Sequence, residues 1–341
     1  MPQIIHLNDS QLHACWQKEL ANVVTDARVL LQMLEIDEKT QQQHFSARKL
    51  FPLRVPRPFI HRMEKGNIND PLLKQVMVQD LEFEQVAGYS TDPLEEHDTV
   101  AEGLLHKYQN RVLMIVKAGC AINCRYCFRR HFPYEDNSPN KLRWQQALDY
   151  IAAHPQINEV IFSGGDPLMA SDEHLSWLIE QLEAIDHIKR LRIHSRLPVV
   201  IPQRITPTLV NLLANTRLKS VMVFHINHPN EIDNEFRQAI LPLRQSHIPL
   251  FNQSVLLRGI NSDSEILCQL SEDLFDSGIQ PYYLHLFDPV QGAAHFDVCD
   301  SEAIAIAQKM MAQLPGFLMP KLVREIAGEA NKTPIAITAV D

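Results

Sequence analysis

Three cysteines within eight residues, Cys120, Cys124 and Cys127, are set out as C-x-x-x-C-x-x-C and offer three thiolates with no evident fourth. A 4Fe-4S cluster ordinarily takes four cysteine ligands, so such a loop would leave one iron open to another molecule. Two other readings stay open on the residues alone. His131 follows Cys127 by four residues, and a Cys3His set would make the closed tetrahedron of structural zinc. Inert buried thiols would need no metal at all. His225 and His228 suggest a metal pair, but no carboxylate or cysteine stands ready to complete it.

Whatever the loop binds, the surrounding elements must hold it in place. From about residue 8 to 50 apolar residues recur at helical spacing, as in Leu12, Trp16, Leu20, Val23 and Val24, with Asn8, Asp9 and Ser10 available as caps. The run Phe-Pro-Leu-Arg-Val-Pro-Arg-Pro-Phe from Phe51 cannot be helical throughout, because proline removes donors and restricts the residue before it. It reads as a connector. After residue 110 short β-rich runs appear at Val112 to Lys117, Glu159 to Ser163, Arg190 to His194, Ser220 to Phe224, Leu250 to Leu256 and Tyr282 to Phe287. Between them, Asp172 to Ile185, Thr208 to Ala214, Asn230 to Arg244, Ser264 to Asp276 and Glu302 to Leu314 carry the helical period. Six βα-like units imply a parallel sheet with outer helices and are too few for a closed eight-stranded barrel. The expected fold is therefore α/β, a partial (β/α)6 barrel with an N-terminal helical extension. Cys120, Gly164 with Asp166, Ser195, His225 and Asp288 follow predicted strands, where barrel-like α/β folds gather their active sites.

Composition narrows the partners. A chain of 341 residues with 45% hydrophobic content can bury a large core. Lys and Arg total 32 against 41 Asp and Glu, and the net charge of -9 argues against a broad nucleic-acid surface, so small molecules are expected. The opening residues lack the regions of a signal peptide, no apolar run approaches membrane-spanning length, and the cytoplasm is expected. Cys15, Cys268 and Cys299 lie scattered and read as free structural thiols.

With the cysteines, further motifs in order complete a pattern: His106 to Arg111, Ser163-Gly164-Gly165-Asp166, His194-Ser195-Arg196, His225 to Asn230, Asn252 to Arg258, and Lys332-Thr333-Pro334. Over most of its length the chain resembles the lysine 2,3-aminomutase family of radical S-adenosylmethionine enzymes. The resemblance implies a radical SAM core at 106–329, a helical extension and connector at 1–105, and a C-terminal segment at 330–341. It implies that Cys120, Cys124 and Cys127 hold a 4Fe-4S cluster whose open iron is chelated by S-adenosylmethionine. Gly164 and Gly165 would permit close backbone approach, and Asp166 would offer an acceptor for the methionine ammonium. Ser195, His225 and Gln253 match positions on the adenosyl side, Lys332 matches the Schiff-base lysine for pyridoxal 5′-phosphate, and Lys107 and Arg111 match its phosphate site. Arg129 would clamp a substrate carboxylate, while Asp288 and Glu325 would receive a distal ammonium; charges opposite at the two ends fit lysine. The long clostridial-type enzymes carry glycines before the lysine, where this chain has Ala327-Gly328-Glu329-Ala330-Asn331, and an aspartate where this chain has Glu325.

The implied reaction converts (S)-α-lysine to (R)-β-lysine through a 5′-deoxyadenosyl radical and a pyridoxal phosphate imine. Only nine residues follow Lys332, so the chain resembles the short bacterial form associated with β-lysylation of elongation factor P, with a separate lysyl ligase and a flavodoxin-like or ferredoxin-like electron donor. The alternatives are aminomutation of arginine or glutamate, and a zinc-stabilised partner protein without catalysis.

Overall fold

All six anticipated strands form, and each alternates between two environments. In Arg190–Ser195, Leu191 and Ile193 are buried outward beneath helices, while Arg192 and His194 point into a central cavity. Such period-two alternation lets one sheet carry a hydrophobic outer face and a polar inner one. The computed structural model describes residues 9–37, 51–96, 102–133 and 140–337. Within them a nine-stranded sheet runs in strict chain order: β1 Leu104–Tyr108, β2 Arg111–Lys117, β3 Glu159–Gly164, β4 Arg190–Ser195, β5 Lys219–His225, β6 Leu250–Val255, β7 Gln280–His285, β8 Lys321–Arg324 and β9 Thr333–Pro334.

Strands β2 to β8 are parallel, β1 joins β2 as an antiparallel hairpin, and β9 joins β8 antiparallel. Three strands, β1, β8 and β9, escape the sequence pattern because they are short or lie against the hairpin turn at Gln109 and Asn110. The sheet also runs across the expected divisions at 105/106 and 329/330, since β1 begins at Leu104 and β9 lies at Thr333–Pro334. It is an open, curled sheet. Its two edges face each other through side chains, with the Tyr108 hydroxyl of β1 donating to Glu325 Oε1 just past β8 at 2.5 Å.

Helices Asp172–Glu183, Pro207–Asn215, Asn234–Gln245, Ser264–Asp276 and Asp300–Gln313 cover the outer face, close to their predicted spans. Ser171, Thr206, Asp233 and Asp263 cap four of them, each accepting a hydrogen bond from the first turn, worth about 1 kcal/mol apiece. A further helix, Lys141–Ala153, links β2 to β3 and buries Trp144, Ala147, Leu148 and Ile151. It was not anticipated. The expected N-terminal helices are present at Asp9–Ala21 and Ala27–Met33; Asn8, the side chains of Asp9 and Ser10, and positions 38–50 lie outside the described residues.

The proline-rich connector does more than connect. Arg54 O and Pro52 O accept from the Asn123 backbone and side-chain amides at 3.0 and 2.9 Å, and Gln75 O accepts from Arg125 N at 2.9 Å. These bonds clamp the backbone between Cys120 and Cys127. Buried Glu82 finishes the clamp by accepting from Arg125 Nε at 2.9 Å and Arg130 Nη2 at 2.6 Å.

Candidate active site

The strand ends open into a cavity of about 550 Å³, and all fifteen residues singled out from the sequence line it. Cys120, Cys124 and Cys127 lie on the loop that leaves β2, half-buried and unbridged. Burial raises the Cys120 thiol well above its usual range, helped by Asp166 and the neighbouring cysteines, and burial with Cys124 pushes Cys127 up to about 11. Thiols so placed favour thiolates only where cations compensate them, a condition that irons would meet. Among the described residues no three His, Cys, Asp or Glu side chains converge as one ion needs. A four-iron cube takes one thiolate per iron, so its ligands surround it and need not meet at a point. His131 instead turns its Nε2 to Gln291 O at 3.1 Å, and His228 Nδ1 accepts from Asn230 N.

Gly164 and Gly165 allow a close approach, but the approaching group is the protein's own backbone. A Cβ at Gly164, whose φ is +114°, would lie 2.6 Å from Lys117 O, and one at Gly165 would lie 2.5 Å from Ala118 O. Gly165 N and Asp166 N donate to Lys117 O and Gly119 O at 2.8 and 3.0 Å. The motif splices the end of β3 to the cysteine loop. Asp166 differs from expectation too. Its carboxylate accepts from Ser195 Oγ, Leu168 N, Arg196 N and Leu197 N at 2.7 to 3.0 Å, which fills its four lone-pair sites. Three of these bonds tie it to Ser195 at the end of β4 and to the segment that follows, so its carboxylate is engaged within the protein.

The side chains expected to bind anions are also engaged. Glu96, 5% exposed, takes Arg129 Nε at 2.6 Å and Nη2 at 3.1 Å, and Lys107 Nζ at 3.0 Å. Burial favours the neutral acid, yet Arg129 and Lys107 outweigh it and hold this carboxyl down to about 2. Lys107 also donates to Leu94 O, whereas Arg111 stacks over the Tyr108 ring 4.0 Å from its centroid. Lys332 is ion-paired to Glu325, whose carboxylate Lys332 and Tyr108 hold below its usual range against the effect of burial. Asp288 shares this wall; burial pushes its carboxyl up to about 7, partly opposed by Lys332.

Deeper in, His225 and Gln253 are register partners on β5 and β6. Burial and Arg196 lower the His225 imidazole to about 3, so it stays neutral. Arg192 Nε, His194 Nε2, Arg196 Nε, His225 Nε2 and Asp288 Oδ1 are all buried on the cavity wall without a hydrogen-bond partner among the described residues. Groups of this kind are costly unless a polar ligand completes them. The residues present thus fit a cluster at the cysteine loop and a polar, charged ligand set beside it. Glu96, Tyr108, Arg192, His194 and Arg196 were not assigned a role from sequence; Tyr108 carried a signal within the motif His106 to Arg111, and His194 and Arg196 within the motif at Ser195.

The Radical SAM superfamily pattern matches residues 114–265, from β2 to the start of the helix after β6, and the chain is of that class. It is 57% identical over 336 residues to the L-lysine 2,3-aminomutase of Escherichia coli (strain K12), covering 98% of each chain. It is 59% identical over 319 residues to that of Haemophilus influenzae, covering 93% of this chain and 94% of the relative. To the L-lysine 2,3-aminomutase of Clostridium subterminale it is 34% identical over 322 residues, covering 94% of this chain and 77% of the relative. The chain belongs to the lysine 2,3-aminomutase family.

Proposed function

We propose that this chain is a lysine 2,3-aminomutase that converts (S)-α-lysine to (R)-β-lysine. One observation carries the reading: a single cavity joins three unbridged cysteines to Lys332, and Arg129, Asp288 and Glu325 line it too. Cys120, Cys124 and Cys127 would hold the cluster, His225 and Gln253 would face S-adenosylmethionine, and Lys332 with Lys107 and Arg111 would hold pyridoxal phosphate. When bound, these groups supply a carbon-centred radical and a π system across which an amino group can migrate.

The protein's own part is binding, orientation and exclusion of water. Arg129 presents a planar donor set to the α-carboxylate, while Asp288 and Glu325 supply negative charge for the ε-ammonium. Glu325 is in contact with Lys332 Nζ and so is the group positioned to take or return the proton of that amine. The clamp of residues 52–54, 75 and 82 keeps the cysteine loop rigid. The departure from aspartate to Glu325 lengthens this acid by one methylene, and Tyr108 holds the longer arm in place.

A site built on unbridged thiols requires a reducing compartment, which supports action in the cytoplasm. The one-electron donor would be flavodoxin-like or ferredoxin-like. The product would pass to a separate ligase for modification of elongation factor P. Anaerobic reconstitution with iron, sulfide, pyridoxal phosphate and a reductant, followed by chiral analysis of lysine products, tests the activity. Label on a lysine other than Lys332 after borohydride reduction would overturn its assignment, as would zinc without sulfide for the cysteines. Preferred turnover of glutamate would remove the roles given to Asp288 and Glu325.

A further inference from the structure

The three cysteines have different surroundings. Cys124 Sγ accepts a charged hydrogen bond from Arg196 Nη1 at 2.7 Å, whereas Cys127 accepts a backbone N–H from Arg129 and feels the Arg129 and Arg130 charges. Arg196 is 6% exposed and is fixed from several directions. Its backbone N donates to Asp166 Oδ2 at 2.8 Å, its Nη2 donates to Gln75 Oε1 at 2.7 Å and Glu231 Oε2 at 3.0 Å, and the Tyr126 hydroxyl lies against Nη1. Glu231, its counter-carboxylate, is itself shared. Oε1 of that group accepts from Asn227 N, His228 N and Gln75 Nε2 at 2.9 to 3.1 Å. A carboxylate this well supplied with donors leaves part of the guanidinium charge for the sulfur.

We propose that Arg196 sets the reduction potential of the cluster held at this loop, by a charged hydrogen bond to one ligand sulfur, Cys124. The proposal rests on the cluster reading given above. When the cluster takes one electron from an external low-potential donor, the added negative charge spreads onto its sulfurs and no bond breaks. A buried cation in contact with one sulfur stabilises that reduced state, because hydrogen bonds to the sulfurs and burial are what tune such clusters. The low local dielectric strengthens the effect. Glu231 acts against it, so the two residues form an opposed pair that trims the potential. Asp166 contributes indirectly, since its bonds to Arg196 N and Leu197 N fix where the arginine starts.

The test is a potentiometric titration of the anaerobically reconstituted protein with dithionite and mediators, read by the paramagnetic resonance of the reduced cluster. Arg196→Gln, with its full iron complement, should show about tenfold less reduced cluster at a fixed potential, a fall of about 59 mV for a one-electron couple. Arg196→Lys should recover at least half of that fall, and Glu231→Gln should move the midpoint upward. A normal midpoint in iron-replete Arg196→Gln overturns the proposal. If Arg196→Gln does not retain iron, Glu231→Gln decides alone: an upward shift sustains the proposal, and no shift or a fall ends it. Wild-type protein that gives no cluster signal would instead sink the cluster reading, an outcome distinct from an unmoved midpoint.

Discussion

Glu96 is one acid holding two cations, so Glu96→Gln tests whether Lys107 and Arg129 are built for anions. In the folded protein Glu96 ionises near 2 against an ordinary 4.5, a gap worth about 3.5 kcal/mol at about 1.4 kcal/mol per pH unit. Because the folded value is depressed, that stabilisation is complete above about 4.5 and is lost as the pH falls toward 2. Breaking a buried pair by removing one partner costs about 3 to 5 kcal/mol, and the low end applies because Lys107 is 25% exposed. At about 2 cal/mol/K of unfolding entropy per residue, a loss of 3 kcal/mol lowers the Tm of a 341-residue chain by about 4 °C. Calorimetry of the ligand-free variant near neutral pH should show this fall. Inorganic phosphate should then restore more Tm in the variant than in the wild type, since it re-pairs the two exposed charges. A variant as stable as wild type, or one indifferent to phosphate, would refute the argument that Glu96 stands in for bound anions.

Three further outcomes follow from the same geometry. Asp288 has a raised folded value of about 7, so its ionisation costs stability as pH climbs from about 4 to 7; Asp288→Asn should flatten the ligand-free Tm profile over that window, and an unchanged slope would show that Asp288 is not the cause. Lysine binding by the otherwise loaded wild type should release a proton near pH 7 as the carboxyl ionises beside the ammonium, measurable by calorimetry in buffers of different ionisation enthalpy. Gly165→Ala drives a methyl to 2.5 Å from Ala118 O and 2.6 Å from Gly119 O, costing about 1 to 3 kcal/mol and lowering iron retention; normal stability and iron content would show that the splice tolerates a side chain.

The six parallel strands β2 to β7 were legible because short β-rich runs end at polar motifs, as Arg190 to Ser195 shows. Their helices announced themselves through apolar periods, as over Ser264 to Asp276. Edge strands β1 and β9 and the four-residue β8 were not legible, since segments as short as Thr333–Pro334 exist only by pairing with a neighbour. Motif positions reached the cavity because strand register brings residues distant in sequence to one rim. What sequence could not convey was who pairs with whom. Asp166 looked like a ligand acceptor, and its bonds from Leu168, a chain neighbour, and from Ser195, Arg196 and Leu197 at and just past the end of β4 are pairings that no motif announces. Glu96 sits in a stretch with no motif, and its importance comes from contacts 11 and 33 positions away.

The meeting of Tyr108 with Glu325 has a mechanical consequence. Elsewhere the wall is stitched strand to strand by repeated amide bonds, but here the margins are fastened by side chains, with Lys332 completing the catch. Such a join can part without unravelling any ladder. The flank beside Lys332 is thus held to the opposite margin through the Tyr108 hydroxyl and the Glu325 carboxylate, the same group that pairs with that lysine.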